Sequence, residues 1–219
     1  MQRVPEPELM LDAAQTRAYA EADFDAPHSL CIEQLQRRCP LPERGRALDL
    51  GCGPGDISLR LARALPGWSV DALDGSPAML DLAAAAATRA GLQTRVRFYR
   101  AILPHDPPPA DAYDLIVSNS LLHHLADPAV LWSSVLRCGR AGTCVFVMDL
   151  LRPASDAEAR ALVARYASSE PDVLQRDFYN SLRAAYRPDE VREQVVAAGL
   201  AQFAIDVISD RHLIVCGRL

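Results

Sequence analysis

Three glycines at alternate positions, Gly51, Gly53 and Gly55, follow the apolar run Arg46–Leu50 and precede a helical pattern starting at Asp56. Glycine in such a bend lets a ligand approach the main chain without meeting a Cβ atom. About 20 residues beyond the bend, Asp74 ends a second apolar run, in Leu73-Asp-Gly-Ser-Pro-Ala-Met-Leu80. A carboxylate at that place can accept hydrogen bonds from both hydroxyls of a ribose. Asp-Gly and Ser-Pro are also turn formers, so Asp74 as a plain turn or cap residue is the competing reading. Paired with the glycine bend, the sugar-diol reading is the stronger. A dinucleotide site would need glycine where Asp56 stands, which speaks against a nicotinamide oxidoreductase.

A second set of reactive side chains lies further along. Asn119, His123 and His124 come just after a fourth apolar run, and Asp149 and Arg152 end a fifth. Histidine suits general-base work near neutral pH, although His in Leu-His-His-Leu is commonly a packing or capping residue. If the pair is helical, its neighbours point about 100° apart and do not share one pocket. No third ligand follows at useful spacing, so no metal site is expected. Asp149 and Arg152 either pair with each other or bind a zwitterionic substrate. The stretch 151–187 collects Tyr166, Phe178, Tyr179, Asn180 and Tyr186 beside Arg176 and Arg183. Tyrosines next to arginine can grip a carboxylate or amino-acid-like substrate, and the same aromatics could equally fill the small core of a helical cap. The substrate set expected here is Asp149, Arg152, Tyr166, Tyr179, Asn180 and Tyr186.

The elements that must position these groups alternate. Strands are expected at Arg46–Leu50, Trp68–Asp74, Val96–Ala101, Tyr113–Ser118 and Thr143–Leu150. Helices are expected at Pro7–Ala20, Ser29–Arg38, Asp56–Leu65, Pro77–Ala90 and Pro128–Arg137. Two further helices (Ser155–Ser168, Pro188–Ala198) and a hairpin of Ala201–Ile208 with Arg211–Arg218 close the chain. Strand–helix alternation implies an α/β, Rossmann-like three-layer sandwich with a mostly parallel sheet and an antiparallel last strand. The 219 residues are read as a single domain. Within it, 1–45 form an N-terminal helical lid, 46–150 the ligand-binding core, 151–187 a helical substrate cap, and 188–219 the last helix and hairpin.

All 23 basic residues are Arg, so chemistry that depends on lysine is excluded. A net charge of −5 argues against a nucleic-acid partner. Six cysteines without Cys-x-x-Cys spacing, no signal-peptide pattern and no long apolar window point to reduced thiols, a cytoplasmic location and no membrane partner. The composition suggests a GC-rich bacterial genome. A homodimer is left open.

Leu48-Asp-Leu-Gly-Cys-Gly-Pro-Gly55, Leu73-Asp-Gly-Ser-Pro-Ala-Met-Leu80 and Tyr113-Asp-Leu-Ile-Val-Ser-Asn119 with Leu121-Leu-His-His124 resemble, motif by motif, the class I S-adenosylmethionine-dependent methyltransferases. The resemblance runs over roughly residues 47–150 and implies a seven-stranded sheet and S-adenosyl-L-methionine as cofactor. By position it implies that Asp49, Gly51 and Gly53 bracket the methionine end. Asp74 holds the ribose, with Gly75, Ser76 and Met79 beside the adenosine. Asn119 lies near the sulfonium, and Tyr19 is an aromatic of the lid. Many members end the third strand with an acidic residue facing adenine. This chain has Phe98-Tyr-Arg-Ala-Ile-Leu-Pro104 there, so backbone at Ala101 and Ile102 is expected instead, with His105 or Asp106 substituting only if the loop folds back. The implied reaction is methyl transfer to a small-molecule N, O or S nucleophile, with Asn119, His123 and His124 as catalytic candidates. The alternatives are transfer of the aminobutyryl chain, cyclisation releasing methylthioadenosine, and a non-catalytic cofactor sensor.

Overall fold

The computed structural model describes residues 1–6, 16, 18–20, 22–106, 108–109 and 112–219. Seven strands form one sheet: β1 (Gly45–Leu50), β2 (Trp68–Asp74), β3 (Val96–Arg100), β4 (Leu115–Asn119), β5 (Cys144–Leu150), β6 (Ala204–Val207) and β7 (His212–Arg218). Their order is β3-β2-β1-β4-β5-β7-β6. Only β7 runs antiparallel to its neighbours β5 and β6. The order reverses between β1 and β4, and in such sheets the crevice beyond the carboxyl ends of these strands receives ligands.

The helices are α1 (Asp25–Arg38), α2 (Asp56–Ala64), α3 (Pro77–Arg89), α4 (Ala129–Cys138), α5 (Asp156–Tyr166), α6 (Asp172–Ala184) and α7 (Pro188–Ala197). Alternation along the strands divides the core. Leu48, Leu50, Ile116, Val145 and Val147 pack with Trp132 and Val135 of α4 and Val191 and Val195 of α7. Ala47, Val70, Val117, Phe146 and Met148 pack on the opposite face with Cys31 and Leu35 of α1, Leu61 of α2 and Ala87 of α3. The six cysteines are free thiols.

Local chemistry explains the helix bounds that touch the site. Gly55 precedes α2 at φ +86°. A Cβ there would come within 3.0 Å of Ala83 and Phe98, so glycine is required for conformation and for packing. Ser76 caps α3 through the Met79 N–H, with Pro77 in the first turn where its missing N–H costs nothing. Helix α1 begins at Asp25 rather than at Ser29, because Pro27 sits in a first turn that tolerates it and Asp23 accepts the Asp25 N–H at 2.9 Å. Of the helix expected over residues 7–20, positions 7–15 and 17 lie outside the described residues; Thr16 and residues 18–20 are helical.

Between β5 and α7 the structure holds two helices where the sequence reading placed one. Helix α6 was hidden among the aromatics of 172–184, although Leu174, Phe178 and Leu182 stand at four-residue spacing on one side. Helices α5 and α6 enclose a small core of their own: Ala159, Leu162 and Leu182 with Leu150 and Ala185, joined by Phe178 and Tyr179.

Candidate active site

The bend after β1 is built from backbone. Gly51 and Cys52 both donate to Leu73 O at 2.9 Å, locking the bend to the end of β2. Gly51 and Gly53 have φ of +73° and +52°. A Cβ on Gly51 would press on Leu121 at 2.8 Å, whereas one on Gly53 would meet nothing within 4 Å and would project into open space. Asp74 closes the bend from the other side: its carboxylate accepts from Gly53 N and Ser76 N, each at 2.8 Å. Burial raises its pKa, and the backbone donors Ser76, Gly53 and Gly75 work against that rise.

Asp49 is buried, and its carboxylate accepts from the Ser58 hydroxyl at 2.5 Å. Burial, with a smaller contribution from the Asp74 charge, pushes its carboxyl up to about 7. A buried acid in this condition fits an ammonium group brought by a ligand, as the methionine end of S-adenosylmethionine has.

A cavity of about 170 Å³ opens over these groups. All eleven residues expected to meet the cofactor line it: Tyr19, Asp49, Gly51, Gly53, Asp74, Gly75, Ser76, Met79, Ala101, Ile102 and Asn119. His105 and Asp106 do not line it. Asp106 accepts the Ile102 N–H at 2.8 Å, which withdraws that donor from an adenine. His28, unnoticed in the sequence, also lines the cavity, and Asp56 is its partner at 2.6 Å. Asp56 in turn accepts from Arg60 and so ties α1 to α2, its carboxyl held below the usual range by these partners.

A second cavity of about 290 Å³ adjoins the first and shares Tyr19, His28, Asn119, Ser120 and His124 with it. Tyr19 stacks on Phe24 at 4.8 Å, and burial raises its hydroxyl to about 12. Ser120, between the cavities, holds φ +57°, the only non-glycine residue with positive φ among those described. Such a conformation costs on the order of 1 kcal/mol and collects at ligand sites. The outer wall comes from Leu174, Phe178 and Ser181 of α6, from Tyr166, and from Arg211 and His212 at the start of β7. Arg211 lies 3.3 Å above the Tyr166 ring. Burial holds His212 down at about 4, so its ring is neutral.

His123 and His124 both face this second cavity, contrary to the expectation for adjacent helical residues. They occupy a one-turn 3-10 helix, Leu122–His124, that gives way at once to extended backbone, and their rings stack at 4.2 Å. His123 is buried, with Nδ1 2.6 Å from Asp149 Oδ1. Asp149 also accepts from Leu122 N and Leu150 N at 2.7 Å. Burial opposes both charges of this pair, but mutual attraction prevails: His123 is raised and Asp149 lowered.

Of the expected substrate residues, only Tyr166 lines this cavity. Asp149 is committed to His123, and Arg152 is buried against Glu190 and Ala185 O, so the two do not pair with each other. The Tyr179 hydroxyl donates to Asp156, with Arg160 and Arg183 against its ring. Tyr186 donates to Leu125 O at 3.2 Å and carries Arg3 on its ring. Asn180 is half-buried on α6 and lines neither cavity. Tyr179 thus joins α6 to α5, while Arg152 ties the chain to α7 and Tyr186 ties it to the turn after β4; these are the packing roles that aromatics beside arginines equally permit. Helix amphipathicity along α6 could have indicated Leu174 and Phe178. Nothing in the local sequence marks Arg211 or His212.

Residues 47–142 match a protein-family model described as a methyltransferase domain. Over these residues the chain is similar to methyltransferase domains. The glycine bend, Asp74 and Asp49 fit S-adenosyl-L-methionine as a cofactor. A trans-aconitate 2-methyltransferase of Mycobacterium tuberculosis is 34% identical over 145 residues, 64% of this chain and 52% of that protein. A ubiquinone biosynthesis O-methyltransferase of Xylella fastidiosa is 31% identical over 123 residues, 55% of this chain and 48% of that protein. The chain thus spans about half the length of these curated relatives. The crystal structure of a methyltransferase from Aquifex aeolicus shares the fold with a TM-score of 0.69 at 16% identity, covering 94% of this chain and 98% of that one. No helix among the described residues is long and apolar enough to cross a membrane.

Proposed function

We propose that this chain, acting in the cytoplasm as a single methyltransferase domain, methylates a small-molecule N, O or S nucleophile held in the second cavity. The observation that carries this reading is the contact between the two cavities, which share Tyr19, Asn119, Ser120 and His124. When bound, S-adenosylmethionine supplies an electrophilic methyl group with its own leaving group. The chain's contribution is alignment: Asp74 holds the ribose, Asp49 holds the ammonium, and the glycine bend admits the tail. Asn119 with His123 and His124 meets the reacting end. Tyr19 and Phe24 cover the junction and exclude water.

The lining of the second cavity favours a neutral or cationic acceptor with an apolar body. Phe24, Pro27, Met148, Leu174 and Phe178 provide apolar surface, and among the described lining residues Arg211 is the one arginine beside three carboxylates, Asp23, Glu170 and Asp177. A polycarboxylate such as the acceptor named for the mycobacterial relative would find a single guanidinium there. Aminobutyryl transfer or cyclisation would instead favour a pocket closed around the cofactor with no room for an acceptor.

Calorimetric titration with S-adenosylhomocysteine and with NAD should show binding of the first alone. Incubation with S-adenosylmethionine and a panel of amines, phenols and thiols should give a methylated product in proportion to S-adenosylhomocysteine. Methylthioadenosine formed from the cofactor alone, above the nonenzymatic rate, would overturn the proposal.

A further inference from the structure

At the foot of the second cavity, Glu6 reaches the two histidines from the N-terminal segment. Its Oε1 lies 3.5 Å from His123 Nε2 and 3.3 Å from His124 Nδ1. The three ligand atoms sit within 4.8 Å of one another. Sequence spacing could not show this third group.

Ligand atoms about 2.0–2.1 Å from a tetrahedral zinc ion stand roughly 3.3 Å apart, as the edges of a tetrahedron require. The two separations at Glu6 match that edge. Glu6 Oε1 is buried and makes no hydrogen bond among the described residues, so its approach to the rings is not that of an acceptor to a ring N–H.

Behind the cluster, Asp149 sits 2.6 Å from His123 Nδ1 and is itself fixed by Leu122 N and Leu150 N. A carboxylate on the far nitrogen is the outer-shell partner that orients a metal-binding imidazole and leaves its Nε2 lone pair free to coordinate. Charge agrees with this arrangement. The carboxylates acting on the cluster are Glu6, Asp149 and Asp177, against the single guanidinium of Arg3. Facing it from α6 is Ser181, which hydrogen-bonds Glu6.

We infer that Glu6, His123 and His124 form a divalent metal site of the zinc class, with three protein ligands and a fourth position open to the acceptor cavity. Zinc sites of this composition keep water or substrate in the fourth place. The ligand expected there is a hydroxyl or thiol of the acceptor. Occupancy of the site does not depend on the methyl-transfer reading; the identity of the fourth ligand does.

The full chain, stripped with a chelator and desalted, is titrated with Zn²⁺ and separately with Co²⁺. The expected result is one ion per chain by elemental analysis and a tetrahedral cobalt absorption band. Both should be lost in Glu6→Gln and in the half-exposed His124→Gln, and retained in the remote His105→Gln. Asp149→Asn should weaken binding about 10–100-fold. Folding of each variant is checked by circular dichroism. Absence of stoichiometric binding, or binding that survives both Glu6→Gln and His124→Gln, overturns the inference and leaves the cluster as an ion-paired network. Calorimetry with S-adenosylhomocysteine on the metal-free protein reports on the cofactor site separately, so the two readings fail independently.

Discussion

The two halves of the active site are made in different ways. The cofactor half rests largely on one strand–bend–helix unit and the strand beside it, residues 45 to 80, and its key contacts run from backbone N–H groups to Asp74. The acceptor half is assembled from at least five segments: Tyr19 to His28, the turn after β4, the end of β5, helix α6 with Tyr166, and the start of β7. Its surface is mainly side chain. A backbone cradle is sensitive to change chiefly in its glycines and in the acid that closes it, whereas a side-chain wall can be rebuilt residue by residue. Under the proposed function, this difference places cofactor choice in the first region and acceptor choice in the second.

The largest test of this division is Asp74→Ala. Loss of a carboxylate that holds two backbone donors and is aimed at a sugar diol should weaken S-adenosylhomocysteine binding by about 100-fold or more. Calorimetry showing unchanged affinity would break the comparison. Next, Phe178→Ala should raise KM for the acceptor about tenfold and leave the cofactor Kd within about twofold; equal effects on both would mean that the halves are not separable.

A matched pair of glycine variants sharpens the picture within the cradle. Gly51→Ala forces a positive φ and a contact with Leu121, and should cost about 2 kcal/mol in denaturant unfolding. Gly53→Ala meets open space and should cost about 1 kcal/mol in stability, while lowering cofactor affinity because the methyl group enters the cavity.

A further test is the pH dependence of Asp49. With its folded pKa at about 7, it binds more protons in the folded than in the unfolded chain between pH about 4 and about 7. The stability of the cofactor-free protein should therefore fall as pH rises through that window. Cofactor affinity should rise over the same window, by no more than about tenfold per unit, because the ammonium requires the ionised carboxylate. Asp49→Asn should flatten both curves.

Much of the fold could be read along the chain because its signals are local. The parallel strands, the glycine bend, Pro77 and the Ser76 cap each follow from a few neighbouring residues. Where tertiary contacts overrode local pattern, the reading failed. His123 and His124 share a pocket because they sit on a one-turn 3-10 helix, not on the α-helix that would have splayed them apart. Arg152 turned to Glu190 on α7, and Tyr186 to Leu125.

Residue order and type by themselves determined the glycine bend and the acid that closes it, since these interact through main-chain geometry that recurs wherever that order occurs. Which side chains wall the acceptor, and that Glu6 reaches the two histidines, was decided only by packing. Those groups are far apart in the chain, and their meeting depends on how α6, the N-terminal segment and the final hairpin dock on the sheet.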